Sequence, residues 1–209
     1  MPSLLELRSE HAPLLLVDAA SARIQTGLLG STPGSDRWAE SEAEAGIGIF
    51  TCLASLAIDL AMVRALVFCD GPGSILGIRS AAMALRTWNV LQPRPMFRYG
   101  SLALVAHALN RPEAQIIADA RRDTWHRYII GRGLQRVAAA ELFGPLIMPE
   151  SFRHWAALPP GVVTTPYRLA GLFAAADRAD LFTATDSPDA FLHEEPGYKT
   201  WTPQIHRAP

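Results

Sequence analysis

The sequence predicts an α/β protein made of two related halves, each on a mixed sheet, with the second half reduced. Three observations predict it. Apolar runs of strand length alternate with helix-length segments through the first 112 residues. A strand ending in Asp-Ala recurs at an offset of 101, from Leu14-Leu15-Leu16-Val17-Asp18-Ala19 to Gln115-Ile116-Ile117-Ala118-Asp119-Ala120. Between the copies, an apolar run, a glycine-proline turn and a small-residue helix meet at Cys69-Asp70-Gly71-Pro72-Gly73-Ser74-Ile75-Leu76-Gly77-Ile78-Arg79.

The first unit reads in order as follows. Leu14 to Val17 is a buried-strand run ending at Asp18, and 23–29 alternates like a half-exposed returning strand. Turn residues over 31–35 lead into a short third strand over 36–40. The spacing then predicts a helix over 42–60, with acidic residues in its first turn where the helix dipole favours them. A strand over 65–69, the loop and a helix over 75–91 follow. Pro93 and Pro95 stop that helix, 96–98 is a short strand, and Ser101 caps a helix that runs to Leu109. Three strands with hairpin-type connections followed by α-β-α-β-α give a ribonuclease H-like arrangement rather than a doubly wound one.

The second unit starts at once and repeats the first. Leu28-Leu29-Gly30 and Ile129-Ile130-Gly131 match at the same offset of 101. Beyond 134–142 the pattern thins to a helix-like piece over 152–157, a strand over 161–165 and an alanine-rich helix over 169–179. Residues 186–209 hold four prolines and few apolar runs, which predicts an extended tail lying on the body. The predicted domains are 1–112 and 113–209.

Composition narrows the function classes. The formal net charge is −1, and no basic stripe suggests a polyelectrolyte bound over a broad face. Cys52 and Cys69 sit in apolar surroundings without CxxC spacing and read as buried free thiols in a reducing compartment. Residues 1–11 carry Glu6, Arg8 and Glu10 and lack the apolar core of a signal peptide. The uncharged stretch over 45–58 is 14 residues, too short to span a bilayer. A soluble, cytoplasmic protein without a membrane partner is expected.

The loop invites several chemistries, and its residues argue against each. No Gly-Lys-Ser/Thr follows the glycines, so it is not a Walker A motif. Gly71, Gly73 and Gly77 give G-x-G-x-x-x-G, one place off the dinucleotide fingerprint. A nucleophile elbow at Ser74 needs glycines where Pro72 and Leu76 stand. Ser74 therefore reads as a helix cap in front of amides that favour anions, and Cys69 as a core thiol at a strand end. Of the six histidines no pair stands at i, i+4, and no metal site is predicted.

The helices over 42–60 and 75–91 are the strongest physical clue. Between Glu44 and Asp59 there is no charge, and Ile47, Phe50, Leu53, Leu56 and Ile58 point around the full circumference. On the second helix, Ser80, Ala81, Ala82 and Ala84 permit close helix approach, and the candidate interface residues on the pair are Ile47, Phe50, Leu53, Ala54, Ile78, Ala81 and Ala82. Either a large core absorbs both helices or their outer faces form a helix-on-helix interface.

Gly71-Pro72-Gly73-Ser74-Ile75-Leu76-Gly77-Ile78-Arg79, the strand ending in Asp18 and Asp119-Ala120-Arg121 together resemble the YeaZ/TsaB family. Members carry a G-P-G-S-[FY]-T-G-[LIV]-R loop and an I-D-A-R strand. The resemblance implies a duplicated fold similar to the actin-like ATPases and M22 glycoproteases. It implies a non-catalytic scaffold that binds a TsaD-like catalytic paralogue and works with a TsaE-like ATPase. That complex supports threonylcarbamoyl transfer to a tRNA adenosine, and tRNA is met only through it. The partner contact would be the first two helices, with a homodimer when the chain is alone. Asp18, Asp119 and Arg121 would be vestiges of a nucleotide cleft. No cofactor is expected in the chain alone, and ATP with magnesium is possible at a shared interface. Two alternatives stay open: an ATP-dependent transferase or hydrolase using Asp18 and Asp119, and a divergent self-dimerising paralogue with another role. Here Ile75 and Leu76 replace the family's aromatic and threonine, and Ala19 replaces the threonine after the first aspartate.

Overall fold

A computed structural model of the chain describes residues 1–191. It opens with α1 (Leu4–His11), an element that the apolar periodicity does not signal. Ser3 and Glu6 form a reciprocal capping box, and Leu4, Leu7 and Arg8 face inward. The Ser3-x-x-Glu6 spacing is the signal that could have found this helix. Arg8 stays buried because both Nη atoms reach the Asp36 carboxylate, at 2.6 and 2.5 Å.

The first sheet is built on β1 (Leu14–Asp18), whose five residues are all buried. β1 pairs antiparallel with β2 (Ile24–Leu29), and β2 with β3 (Arg37–Ser41). On its other side β1 runs parallel to β4 (Ala65–Gly71), and β4 to β5 (Met96–Gly100). The last strand among the described residues, β11 (Thr183–Ala184), pairs antiparallel with β5 and adds an edge that the sequence patterning missed.

The second sheet uses β6 (Gln115–Asp119), β7 (Thr124–Ile129), β8 (Gly133–Ala138), β9 (Leu146–Pro149) and β10 (Val162–Thr165). The order β5-β4-β1-β2-β3 in one sheet and β10-β9-β6-β7-β8 in the other is the same order twice. The senses match too: β6 is antiparallel to β7 and parallel to β9. Two mixed sheets in this order are the duplicated ribonuclease H-like architecture that the repeat predicted.

The helices account for the reduction. In the first half α2 (Ala45–Ser55) and α3 (Ile75–Leu91) pack together, α2 over β2 and β3, α3 over β1 and β4. Among the described residues, the second half has at the corresponding places only a single turn over Ala139–Glu141 and an irregular stretch over 150–161. The helix predicted over 152–157 is absent. Phe152 fills that space as a buried side chain instead. α4 (Ser101–Leu109) touches β4 and β5 of one sheet and β6, β7 and β8 of the other, and packs on α5 (Leu169–Ala175).

Several boundaries differ from the sequence reading. The first long helix spans 45–55 rather than 42–60: Ala57 takes a left-handed φ of 45°, and Asp59 caps a separate turn over Leu60–Met62. Glu44 is its flanking residue, so its first turn carries no acid. Ser101 is not a cap but the first residue of α4, its hydroxyl donating 2.6 Å to the Pro72 carbonyl. α5 ends at Ala175 rather than 179. Of the expected tail, 186–191 does lie on the body: Asp189 meets Arg79 and Arg86 of α3, and the Phe191 N–H donates to the Asp70 carbonyl. Residues 192–209 lie outside the described residues.

Candidate functional site

The glycine-proline loop is shaped for close approach, and what approaches is the chain itself. Gly71 takes a φ of 120°, a conformation that side-chain-bearing residues rarely adopt. A Cβ on Gly73 would stand 2.3 Å from the Ala20 carbonyl oxygen, and one on Gly77 2.2 Å from that of Ala19. The Ser74 N–H donates to the Ala20 carbonyl at 2.7 Å, and the Ser74 hydroxyl accepts from the Gly77 N–H at 3.3 Å. Ser74 is thus the cap the sequence predicted. The expected anion site is filled by the turn after β1, and these two amides are spent inside the protein.

Asp18 lies beneath this contact with no exposed surface. Its Oδ1 accepts from the Ala20 N–H at 2.8 Å, and its Oδ2 from the hydroxyls of Tyr99 at 2.6 Å and Tyr167 at 2.7 Å. Burial pushes its carboxyl above the ordinary aspartate value, and these hydrogen bonds pull against that shift. Tyr167 belongs to the second half. The neighbouring Gln25, also buried, donates to the Tyr167 carbonyl and accepts from the Leu169 N–H, both at 2.9 Å. Sequence reasoning singled out Asp18 but missed Tyr99, Tyr167 and Gln25, because nothing in their spacing ties them to it.

Asp119, its counterpart, holds a loop. Its Oδ1 accepts from the Arg121 N–H at 2.5 Å, and its Oδ2 from the N–H groups of Trp155 at 2.6 Å and Ala156 at 3.0 Å. Burial favours the neutral acid, but the three N–H donors outweigh it and leave the carboxyl below its ordinary value. Arg121 turns outward and stacks on the Trp155 ring, 4.2 Å from its centroid. Residues 121–123 all take left-handed φ values, 63°, 52° and 57°. Such backbone costs of order 1–3 kcal/mol per residue and persists only where its surroundings enforce it. Both aspartates therefore serve as internal acceptors.

Cys69 is buried, its thiol pushed well up by desolvation and by the carboxylates of Asp18 and Asp70. Cys52 is buried too, and both thiols are free. Among the described residues no group of three His, Cys, Asp or Glu side chains could hold a metal ion. No helix there is long and apolar enough to cross a membrane.

The two singled-out helices split their residues between core and surface. Leu53, Ile78, Ala81 and Ala82 are buried within the chain and cannot form a contact face. Ala81 and Ala82, at 0 and 2 % exposure, let α3 lie close to the sheet. Ile47, Phe50 and Ala54 are exposed along one stripe of α2, with Ile47 at 63 % and Phe50 at 55 %. The outer stripe of α3 adds Leu76, Met83 and Val90, which sequence reading did not pick out. The exposed Phe50 ring meets the buried Trp88 edge-on at 6.4 Å and so also ties the two helices together. Arg79 makes a half-exposed pair with Asp189 at 3.6 Å.

Fold and site together define a duplicated ribonuclease H-like protein whose first aspartate is sealed and whose leading helices show an apolar face. Solved structures carry the same fold. YeaZ from Pseudomonas aeruginosa superposes with a TM-score of 0.54 at 17 % identity, over 78 % of this chain and 89 % of that one. A second structure, described as an uncharacterized protein with similarity to peptidase YEAZ from Pseudomonas aeruginosa, gives 0.53 at 17 % identity. It covers 80 % of this chain and 93 % of its own. The fold is that of YeaZ, as the loop resemblance led one to expect. No family-level sequence profile and no curated protein matches the chain.

Proposed function

We propose that the chain is a non-catalytic partner subunit of YeaZ/TsaB type, which docks a TsaD-like catalytic paralogue through α2 and α3. The complex would serve threonylcarbamoyl modification of tRNA in the cytoplasm together with a TsaE-like ATPase, with tRNA reached through the complex. Alone, the chain would pair with itself through the same face. The observation that carries this reading is the exposed apolar surface of Ile47, Phe50, Leu76, Met83 and Val90 on two helices already packed together. Surfaces of that kind mark protein contacts, and a helix pair offers a rigid one. The reading needs no nucleotide within the chain, consistent with an Asp18 whose two oxygens already take three hydrogen bonds.

Titration of the full chain against the catalytic paralogue from the same genome tests it. Phe50→Asp and Met83→Arg place charges on exposed positions, so both variants should fold. Each should weaken association by at least about 2 kcal/mol, the range of a central interface residue. Unchanged affinity in both would overturn the reading.

A further inference from the structure

A cavity of about 240 Å³ lies between the two halves, at the carboxyl ends of the parallel strands β4 and β5. In α/β sheets the crevice outside the carboxyl ends of the strands is where ligands sit. Pro72, Leu102 and Ala103 line it from the first half, Leu134 from the second, and Phe191 from the final described stretch. An ion pair stands among these apolar walls, beside the polar side chains of Tyr128 and Thr183. The Asp70 carboxylate, almost buried, accepts from Arg98 Nη1 at 2.7 Å, and the Arg98 side chain keeps 41 % of its surface open. Among the described residues Asp70 is the guanidinium's one hydrogen-bond partner. Arginine carries five N–H donors and a carboxylate has four lone-pair sites, so the pair offers a donor and an acceptor side by side.

We propose that this cavity binds a small neutral molecule with a carboxamide head on an apolar body. The head's carbonyl accepts from Arg98 and its NH₂ donates to Asp70. Neutrality follows from the pair itself. A carboxylate head would face Asp70 and an ammonium head would face Arg98, each in a partly desolvated place. A carboxamide meets both groups with matching polarity, and a site built for such a head rejects analogues lacking half of it. Asp180, which also lines the cavity, is exposed to solvent, where its charge is screened. This site is independent of the helical face and stands or falls apart from the partner-subunit reading.

Benzamide, benzoate and benzylamine, which share one ring and differ in the head, test the assignment by ligand-observed NMR titration of the full chain. Benzamide should bind at least about tenfold more tightly than either charged analogue. Arg98→Met should remove that preference. Ala103→Phe, which fills the cavity from α4, should abolish binding; Leu134→Trp fills it from β8 should the first variant misfold. Equal binding of the three probes, no benzamide binding, or benzamide binding that survives in a folded cavity-filling variant would each overturn the proposal.

Discussion

The hydroxyl of Tyr167, in the second half of the chain, donates across 2.7 Å to Oδ2 of Asp18 at the end of the first strand. Tyr99 donates to the same oxygen from the first half, so one buried carboxylate oxygen closes a joint between the halves. Gln25 reinforces it through the backbone on either side of Arg168. An actin-like site would leave this aspartate facing a cleft. Here two phenols and the Ala20 amide close around it.

Tyr167→Phe removes one of these donors with almost no change of volume. Leaving a buried hydrogen-bond partner unsatisfied costs about 1–3 kcal/mol, and Tyr167 is almost wholly buried. Urea unfolding should show a loss in that range with the slope unchanged. Loss below about 0.5 kcal/mol would mean that the joint does not depend on this bond.

The two aspartates give stability opposite pH dependences. The Asp18 carboxyl, raised above 3.8 by burial, contributes stability that is fully present below that value and is lost as pH rises through its folded pKa. For Asp119, burial is outweighed by the N–H groups of Ala156, Trp155 and Arg121. Its lowered carboxyl contributes stability above 3.8 that is lost as pH falls through its folded pKa. Urea midpoints across a pH series should therefore lose their decline on the rising side in Asp18→Asn. In Asp119→Asn they should instead lose part of the acid limb. The reverse assignment, or no change in either variant, would show that these hydrogen bonds do not set the protonation of the two groups.

The sheet topology was legible because its signals are local and repeated. Val17-Asp18 and Ala118-Asp119 end equivalent strands, and the glycines at 71, 73 and 77 mark a close approach. What was hidden depends on distant pairing. β11 is two residues long and exists only because β5 offers an edge. α1 buries just Leu4, Leu7 and Arg8, and Arg8 is tolerated there because Asp36 meets it. The site was half legible for the same reason. Asp18 stands out by the repeat, but Tyr167 reaches it from 149 residues away. Composition marked α2 and α3 as unusual without saying which stripe faces out, so four of the seven positions picked from them, Leu53, Ile78, Ala81 and Ala82, lie inside.

Two glycines that look alike in the sequence should respond to alanine in opposite directions. Gly77 sits in the first turn of α3, where a Cβ would stand 2.2 Å from the Ala19 carbonyl oxygen, a backbone atom beside the fixed Asp18. Gly46 sits in the first turn of α2, with nothing within 4 Å of an added Cβ. Alanine lowers the cost of ordering a helix position by roughly 0.5–1 kcal/mol relative to glycine, so Gly46→Ala should stabilise the chain by up to that amount. At Gly77 the same gain is overwhelmed, because neither the helix nor the turn can retreat without unseating Ser74 from the Ala20 carbonyl. Overpacking of this kind costs about 1–3 kcal/mol, occasionally more, so Gly77→Ala should unfold at clearly lower urea. Stabilisation by both substitutions would mean that the loop is not held against the turn after β1, and that its glycines leave room for a ligand after all.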